Sequence, residues 1–261
     1  MEMKSAIVAR RSVRSYAGEP LRESVFDGLV EFISAIKPLH DSIPVDIEIY
    51  NREDFINDFS RAGLYRANDF VVIRSAKTAQ GYLQNAGFIG QQIILWLTHI
   101  GIGSCWMGMV KQKKHPARGE LPYVIGIEFG RADNAPFRRK PEDSPRKKLY
   151  EVMLNKISRP EFLPILDAGR LAPSVLNSQP LRYFITDDTL CICRKSPPLK
   201  SKRLDAMQQI GVGAAMANMF VQCDGECLFV RQNAPPEPPD KKCIYEYTMK
   251  LIRNSEFRIP N

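Results

Sequence analysis

The sequence lacks any uninterrupted apolar run long enough to span a membrane. Its longest apolar stretch, residues 88–102, is broken by two glutamines, a threonine and a histidine, whereas a spanning helix needs about 20 consecutive apolar residues. The first residues, MEMKSAIVARRSVRSY, contain no apolar segment followed by small residues, so we expect no secretory signal peptide. These two absences predict a cytoplasmic protein without a membrane-embedded segment.

Cysteine pairs spaced for a zinc site are also missing. The six cysteines form no CxxC pair, and the CxxxC of Cys223 and Cys227 has no histidine nearby. We therefore expect reduced structural thiols and no metal site. The three histidines are too scattered to build a nucleophilic or acid–base pair, and we interpret His99, within an apolar helix, as a hydrogen-bonded core residue.

The overall composition is that of a globular protein with a modest positive charge. Hydrophobic residues make up 44% of the chain and charged residues 25%, which excludes a disordered or fibrous protein. The 37 lysines and arginines exceed the 29 acidic residues and give a net charge of +8. This excess favours a small anionic partner, but it is too weak to predict nucleic-acid binding. A chain of 261 residues allows one large domain or two small ones.

Apolar periodicity and turn residues predict alternating helices and strands. We predict helices over residues 22–36, 84–100, 160–171 and 204–223. Strands are predicted over residues 45–50, 70–73, 123–130, 182–186, 190–194 and 226–231. The polar, proline-rich and basic stretch 133–148 is typical of a linker.

The two long helices resemble each other in sequence. Placed at an offset of 124 residues, they share the pairs Gln84/Gln208, Gly87/Gly211 and Gly101/Gly225. The small residues around these positions would allow two such helices to approach closely. The element order also repeats, so we predict two half-units, residues 1–145 and 146–261, that pack as a pseudo-dimer within an α+β fold.

Three segments carry residues suited to binding a ligand. RRSVRSY, residues 10–16, offers three arginines and a serine hydroxyl as donors to a phosphate; the alternatives are a solvated basic turn or a membrane-surface patch. GIGSCWMG, residues 101–108, has glycines that let backbone N–H groups approach a flat ligand, or it is a helix end followed by a buried strand. LAPSVLNSQPLRYF, residues 171–184, is a rigid loop whose neutral polar groups suit the edge of a heterocycle, or it is an Asx-type turn.

Together the three segments resemble motifs of the flavin-dependent nitroreductase family. The resemblance covers most of the chain and implies a three-layer α+β fold that binds FMN. Ordinary members are homodimers in which every chain carries all three motifs. Here the first half reads ISAIKPLHDSIP where the APSxxN loop belongs, and the second half has only LNKISRP for RRSVR. The chain thus resembles the fused branch described as putative TM-type nitroreductases, with one complete FMN site in a monomer that acts as a pseudo-dimer.

The resemblance also implies which residues contact the cofactor. The FMN phosphate would be held by Arg10, Arg11 and Ser12, with Arg138 and Arg139 as further basic residues. The isoalloxazine ring would be contacted by Arg14 at its N1 and O2 edge, by Pro173, Ser174 and Asn177, and by the backbone N–H groups of Gly103 and Ser104 at N5 and O4. The family places a small packing residue at the position of Cys105, so we expect no catalytic thiol there.

The implied reaction is carried by the cofactor and needs no catalytic side chain. We expect NAD(P)H to deliver a hydride to FMN and leave, after which a nitroaromatic, quinone or related small acceptor takes its place. One alternative is a flavin reductase of enones or halogenated aromatics. The other is a flavin-binding or sensor protein that is not an enzyme. We expect no nucleic-acid partner.

Overall fold

Two four-stranded antiparallel sheets, one from each half of the chain, pack against a central pair of long helices. The computed structural model describes residues 2–60, 64–114, 116, 119–134, 137–196 and 201–252. The α-helices are α1 (Met3–Ala9), α2 (Glu23–Ala35), α3 (Arg52–Asp58), α4 (Tyr82–His99), α5 (Leu149–Val152), α6 (Leu163–Arg170) and α7 (Lys202–Gln222). In the described ranges, none is both long and apolar enough to cross a membrane.

The strands divide between the two halves. The first half holds β1 (Val45–Asn51), β2 (Phe59–Ser60), β3 (Asp69–Ser75), β4 (Gly103–Trp106), β5 (Lys111–Gln112) and β6 (Tyr123–Gly130). The second half holds β7 (Leu181–Thr186), β8 (Thr189–Lys195), β9 (Cys227–Val230) and β10 (Cys243–Leu251). β2 and β5 form a separate two-stranded ribbon.

The two large sheets share one topology. The first has the order β1-β3-β6-β4 and the second β7-β8-β10-β9. In each, the long helix follows the second strand, and the last strand in sequence lies between the second and third. α4 packs on the first sheet, α7 packs on the second, and the two helices pack on each other. This is the expected α+β layering, and the repeated topology supports the duplication hypothesis.

The α4–α7 contact depends on two glycines. A Cβ atom on Gly87 would lie 2.0 Å from the carbonyl oxygen of Ile210, and one on Gly213 would lie 1.9 Å from that of Gln84. These two approaches are equivalent when Gly87 corresponds to Gly213 and Gln84 to Ile210. Small residues therefore do bring the helices together, but the structural correspondence lies two residues beyond the sequence alignment, which paired Gly87 with Gly211.

The predicted elements are present, and most of their ends differ by at most two residues from the prediction. The clearest shift is at residues 160–171, where a 3₁₀ turn over Pro160–Phe162 precedes α6. β10 was not predicted, because a bulge between Tyr245 and Tyr247 disrupts the alternation of buried and exposed residues. All six cysteines are unpaired. His99 corrects one expectation: it is half-buried, and its Nδ1 has no hydrogen-bond partner among the described residues.

Candidate functional site

Three arginines that are distant in sequence gather beside the end of α1. They are Arg10, directly after α1, and Arg138 and Arg146, from the stretch predicted to be a linker; we call them the arginine cluster. Arg10 is only 2% exposed. Burial is the main cause that lowers the pKa of Arg10 to about 9, and the charges of Arg138 and Arg146 lower it further. The pKa of Arg146 is lowered to about 10 by burial and by the charge of Arg138.

Backbone hydrogen bonds hold the cluster in place. The Arg138 backbone N–H donates to the carbonyl of Ala9 at 2.9 Å, and its Nη1 donates to the carbonyl of Arg10 at 2.8 Å. Stretch 133–148 is therefore more than a linker, since it adds two arginines to the first predicted phosphate segment. Sequence reasoning did not identify Arg146, because nothing in PRKK distinguishes one basic residue from its neighbours.

The arginine cluster lacks counter-charges. None of its members forms an ion pair with a carboxylate in the described part of the chain. The Nε atoms of Arg10 and Arg146 are buried and have no hydrogen-bond partner there. Like charges held together away from water are unfavourable unless an anion binds between them. The cluster is therefore chemically suited to an anion with several oxygens.

A cavity of about 430 Å³ lies between the two halves of the chain. From the first half it is lined by Ser12, Arg14, Leu64, Tyr65, Arg66, Cys105, Trp106, Gly108, Met109, Ile125 and Glu128. From the second half it is lined by Pro173, Ser174, Val175, Leu176, Arg203, Leu204, Met207, Ile210, Gly211 and Ala214. Residues of both halves therefore line this space, and the contribution of each half to one binding site stays a prediction.

The structure brings together some of the predicted site residues. Four of them line the cavity: Ser12, Arg14, Pro173 and Ser174. Arg10 and Arg138 belong to the arginine cluster. Arg11 and Arg139 are exposed, and the Arg139 backbone N–H donates to Asp143 Oδ2 at 3.1 Å. The proposed contacts of Arg11 and Arg139 with a phosphate stay predictions.

Gly103 and Ser104 lie within β4 and do not line the cavity. The Ser104 carbonyl accepts a hydrogen bond from the Val13 N–H at 3.0 Å, so β4 pairs with the segment 10–16 on one side and with β6 on the other. A Cβ atom on Gly103 would lie 2.8 Å from Cγ2 of Val13, so close packing against Val13 accounts for a glycine at this position. Of the GIGSCWMG segment, Cys105, Trp106 and Gly108 reach the cavity instead.

The loop from Ser174 to Gln179 closes one side of the cavity in an unusual backbone conformation. Leu176, Asn177 and Gln179 have φ values of 51°, 54° and 47°, a region that non-glycine residues seldom adopt and that is costly for leucine. The Ser174 hydroxyl accepts a hydrogen bond from the Gln179 N–H at 3.0 Å, which fixes the loop. Leu176 is 87% exposed at the cavity mouth. The backbone is therefore strained where the loop borders the cavity.

Sequence reasoning also missed Glu128, a buried carboxyl group in the cavity lining. Glu128 lies in β6 and is 3% exposed. Burial raises the pKa of its carboxyl group to about 7, against hydrogen bonds from the backbone N–H groups of Ala67 and Arg66 and the charges of Arg14 and Arg52. The signal in the sequence was a single acidic residue in the otherwise apolar strand YVIGIEFG.

The family model described as "Putative TM nitroreductase" matches residues 2–222. No curated protein sequence matches the chain significantly.

Solved structures resemble the chain over different lengths. A putative nitroreductase from Thermotoga maritima is 24% identical, covers 97% of this chain and 94% of its own, and gives a TM-score of 0.64. A nitroreductase family protein from Clostridium difficile is 13% identical; the match covers 61% of this chain and 99% of that protein, with a TM-score of 0.50. A putative nitroreductase from Desulfovibrio desulfuricans in complex with FMN is 18% identical; the match covers 60% of this chain and 98% of that protein, with a TM-score of 0.45. The Thermotoga structure shares the fold along nearly the whole chain.

Proposed function

Because this chain belongs to the putative TM nitroreductase family, we propose that it is an FMN-dependent oxidoreductase. It takes electrons from NAD(P)H and passes them to nitroaromatic, quinone or related small acceptors. The observation that carries this proposal is an arginine cluster without counter-charges beside a cavity shared by both halves of the chain.

The residues of the arginine cluster fit a phosphate group. A dianionic phosphate offers several acceptor oxygens to the unpartnered Nε atoms of Arg10 and Arg146. It also relieves the repulsion that lowers the pKa of Arg10. Ser12, two residues after Arg10, lines the cavity and adds a hydroxyl donor. Arg10, Ser12, Arg138 and Arg146 are the residues that would hold the phosphate.

The cavity fits a flat heteroaromatic ring. Pro173 and Ile210 supply apolar surface. Gly211 also lines the cavity and leaves open space beside its Cα atom, since a Cβ there would meet only the Pro173 carbonyl oxygen at 3.7 Å. Arg14 would supply a positive charge to a ring bound in this cavity. A site that is mostly apolar with a few placed polar groups is typical of cofactor binding.

FMN would supply the redox chemistry, and the protein would supply position and charge. Arg14, which lines the cavity, would stabilise negative charge on the ring. Burial raises the pKa of the Cys105 thiol, so this residue stays protonated and is not a nucleophile. The exposed apolar residues Leu64, Met109 and Leu176 are part of the cavity lining. The proposed cycle is ping-pong: the nicotinamide leaves before the acceptor enters this cavity.

The residues of the second half favour one FMN site per chain rather than two. Its counterpart of RRSVR, residues 154–160, contains one arginine, Arg159, which forms ion pairs with Glu161 and Asp188. An arginine already neutralised by two carboxylates is poorly available to a phosphate. We therefore propose that the half-units 1–145 and 146–261 act as one pseudo-dimer with a single site.

Steady-state turnover tests the proposal. Protein loaded with FMN should oxidise NADH or NADPH when a nitroaromatic or a naphthoquinone is present, with parallel lines in double-reciprocal plots. Protein that binds FMN but oxidises neither nicotinamide with either acceptor would contradict the enzymatic function and favour a flavin-binding protein.

A further inference from the structure

Glu128 is a buried acid in the cavity lining for which the proposed cycle has no use. It is the only charged residue of β6. Its Oε2 is buried away from water and has no hydrogen-bond partner in the described ranges. Glu128 pairs directly with Cys105 on the neighbouring strand β4, and both residues line the cavity. An unpartnered carboxyl oxygen is costly unless it serves a ligand or a proton.

The second half has no acid at the corresponding place. Because the two sheets share a topology, the β4–β6 pairing corresponds to the β9–β10 pairing. The third residue of β4, Cys105, faces Glu128, and the third residue of β9, Phe229, faces Met249. Met249 is fully buried in an apolar core. The carboxyl group is therefore not required by the fold of this unit, and it occurs in the half that lines the cavity.

The charges around Glu128 oppose each other. Arg14, from the phosphate segment, and Arg52, from α3, favour the carboxylate, as do the backbone N–H groups of Arg66 and Ala67. Burial favours the neutral acid and outweighs them. Tyr16, Tyr65 and Cys105 also lie near Glu128 and are neutral near pH 7. The guanidinium groups of Arg66 and Arg203 line the same cavity and add positive charge. A carboxyl group in this balance changes its protonation when a nearby charge changes.

We propose that Glu128 binds a proton when the flavin in this cavity is reduced and releases it when the flavin is reoxidised. This inference rests on the proposed function. A hydride from NAD(P)H would bring two electrons and one proton to the flavin and leave a negative charge on the ring. A second proton, taken from water, would convert the Glu128 carboxylate to the neutral acid, and reoxidation would return this proton to water. The group thus removes one of two adjacent negative charges.

The midpoint potential of bound FMN, measured between pH 6 and 9, tests this role. In the wild type, Glu128 should steepen the fall of the potential above pH 7, by up to about 30 mV per pH unit, because one proton is coupled to two electrons. Glu128→Gln and Glu128→Met remove the carboxyl group and should both lose this added slope. Asp69→Asn is the matched control: burial raises the pKa of Asp69 to about 6 on the neighbouring strand, but Asp69 does not line the cavity.

The outcomes separate the inference from the function. Equal slopes in the wild type and in both Glu128 variants would overturn the role of Glu128 and leave the proposed function intact. An equal loss of slope in Asp69→Asn would overturn it as well. Failure of the wild type to bind FMN would overturn the proposed function and this inference together.

Discussion

Arg146 donates a hydrogen bond from its guanidinium to the side-chain oxygen of Asn177. This hydrogen bond connects the arginine cluster, which also contains Arg10 of the first half, to the loop from Ser174 to Gln179 in the second half. The neighbouring Lys147 N–H donates to Gln179 Oε1 at 2.6 Å and anchors the same loop. The Asn177 amide also donates to the Pro145 carbonyl at 3.2 Å. The proposed ring contact of Asn177 stays a prediction; in this structure its amide joins the two parts of the site.

Removing one arginine of the cluster should weaken FMN binding. Arg10→Ala and Arg146→Ala each remove a charge-assisted hydrogen bond to phosphate, worth about 1.5–3 kcal/mol, so the dissociation constant should rise roughly 10- to 100-fold. Quenching of flavin fluorescence on titration measures this. Lys140→Ala, which removes an exposed positive charge outside the predicted site residues, is the control and should bind as the wild type does. Unchanged affinity in both cluster variants would contradict the phosphate assignment.

The same cluster should destabilise the protein when FMN is absent. Arg10 is buried among like charges without a carboxylate, so Arg10→Met removes an unpaired charge and keeps most of the side-chain volume. We expect the free energy of unfolding of the apoprotein to rise by ~1–3 kcal/mol. Urea unfolding of FMN-free protein measures it. A less stable Arg10→Met apoprotein would show that the guanidinium supports the fold rather than a ligand.

Stability of the apoprotein should fall as the pH rises through the titration of Glu128. Burial raises the pKa of this carboxyl group from 4.5 to about 7 in the folded state, so the folded protein binds more protons than the unfolded chain between these values. The stabilisation is complete below pH 4.5 and is lost by about pH 7. At 1.36 kcal/mol per pKa unit, the loss is about 3 kcal/mol.

Glu128→Gln isolates this effect, because all other titrating groups stay the same. The variant should match the wild type in urea unfolding at pH 5 and exceed its stability at pH 8.5. A difference that is the same at both pH values would mean that the Glu128 carboxyl group does not titrate in this range.

The packing of α4 against α7, which connects the two halves, should depend on Gly87. A Cβ there would lie 2.0 Å from the Ile210 carbonyl oxygen, so Gly87→Ala must move α4 away from α7 and should cost about 3 kcal/mol or more. Gly211→Ala on α7 is the control, since its Cβ would meet only the Pro173 carbonyl at 3.7 Å. We expect it to be neutral or to stabilise by ~0.5–1 kcal/mol. Equal free energies of unfolding for the two variants, measured by urea unfolding, would contradict this packing.

The sequence predicted most of the fold because its signals were local. Apolar periodicity located α4 and α7, and glycines at helical spacing predicted their close approach. The register between the helices was off by two residues, since it depends on how the backbones dock rather than on identities. β10 was missed because its bulge interrupts the alternation on which strand prediction relies.

The site was only partly predictable, because its main features come from distant segments. Motifs identified Ser12, Arg14, Pro173 and Ser174, which all line the cavity. Arg146 and Glu128 could not be assigned a role, because one is a basic residue in a basic stretch and the other a single acid in a strand. Their importance comes from the folded chain, in which the Arg146 Nε and the Glu128 Oε2 are buried without a hydrogen-bond partner among the described residues.

The number of FMN molecules per chain tests the split site most directly. Flavin released by denaturing the purified, FMN-saturated protein can be identified by chromatography and quantified against the chain concentration. We predict FMN at a ratio of one per chain. Two FMN per chain would contradict the single composite site, because the second half would then hold a complete site of its own.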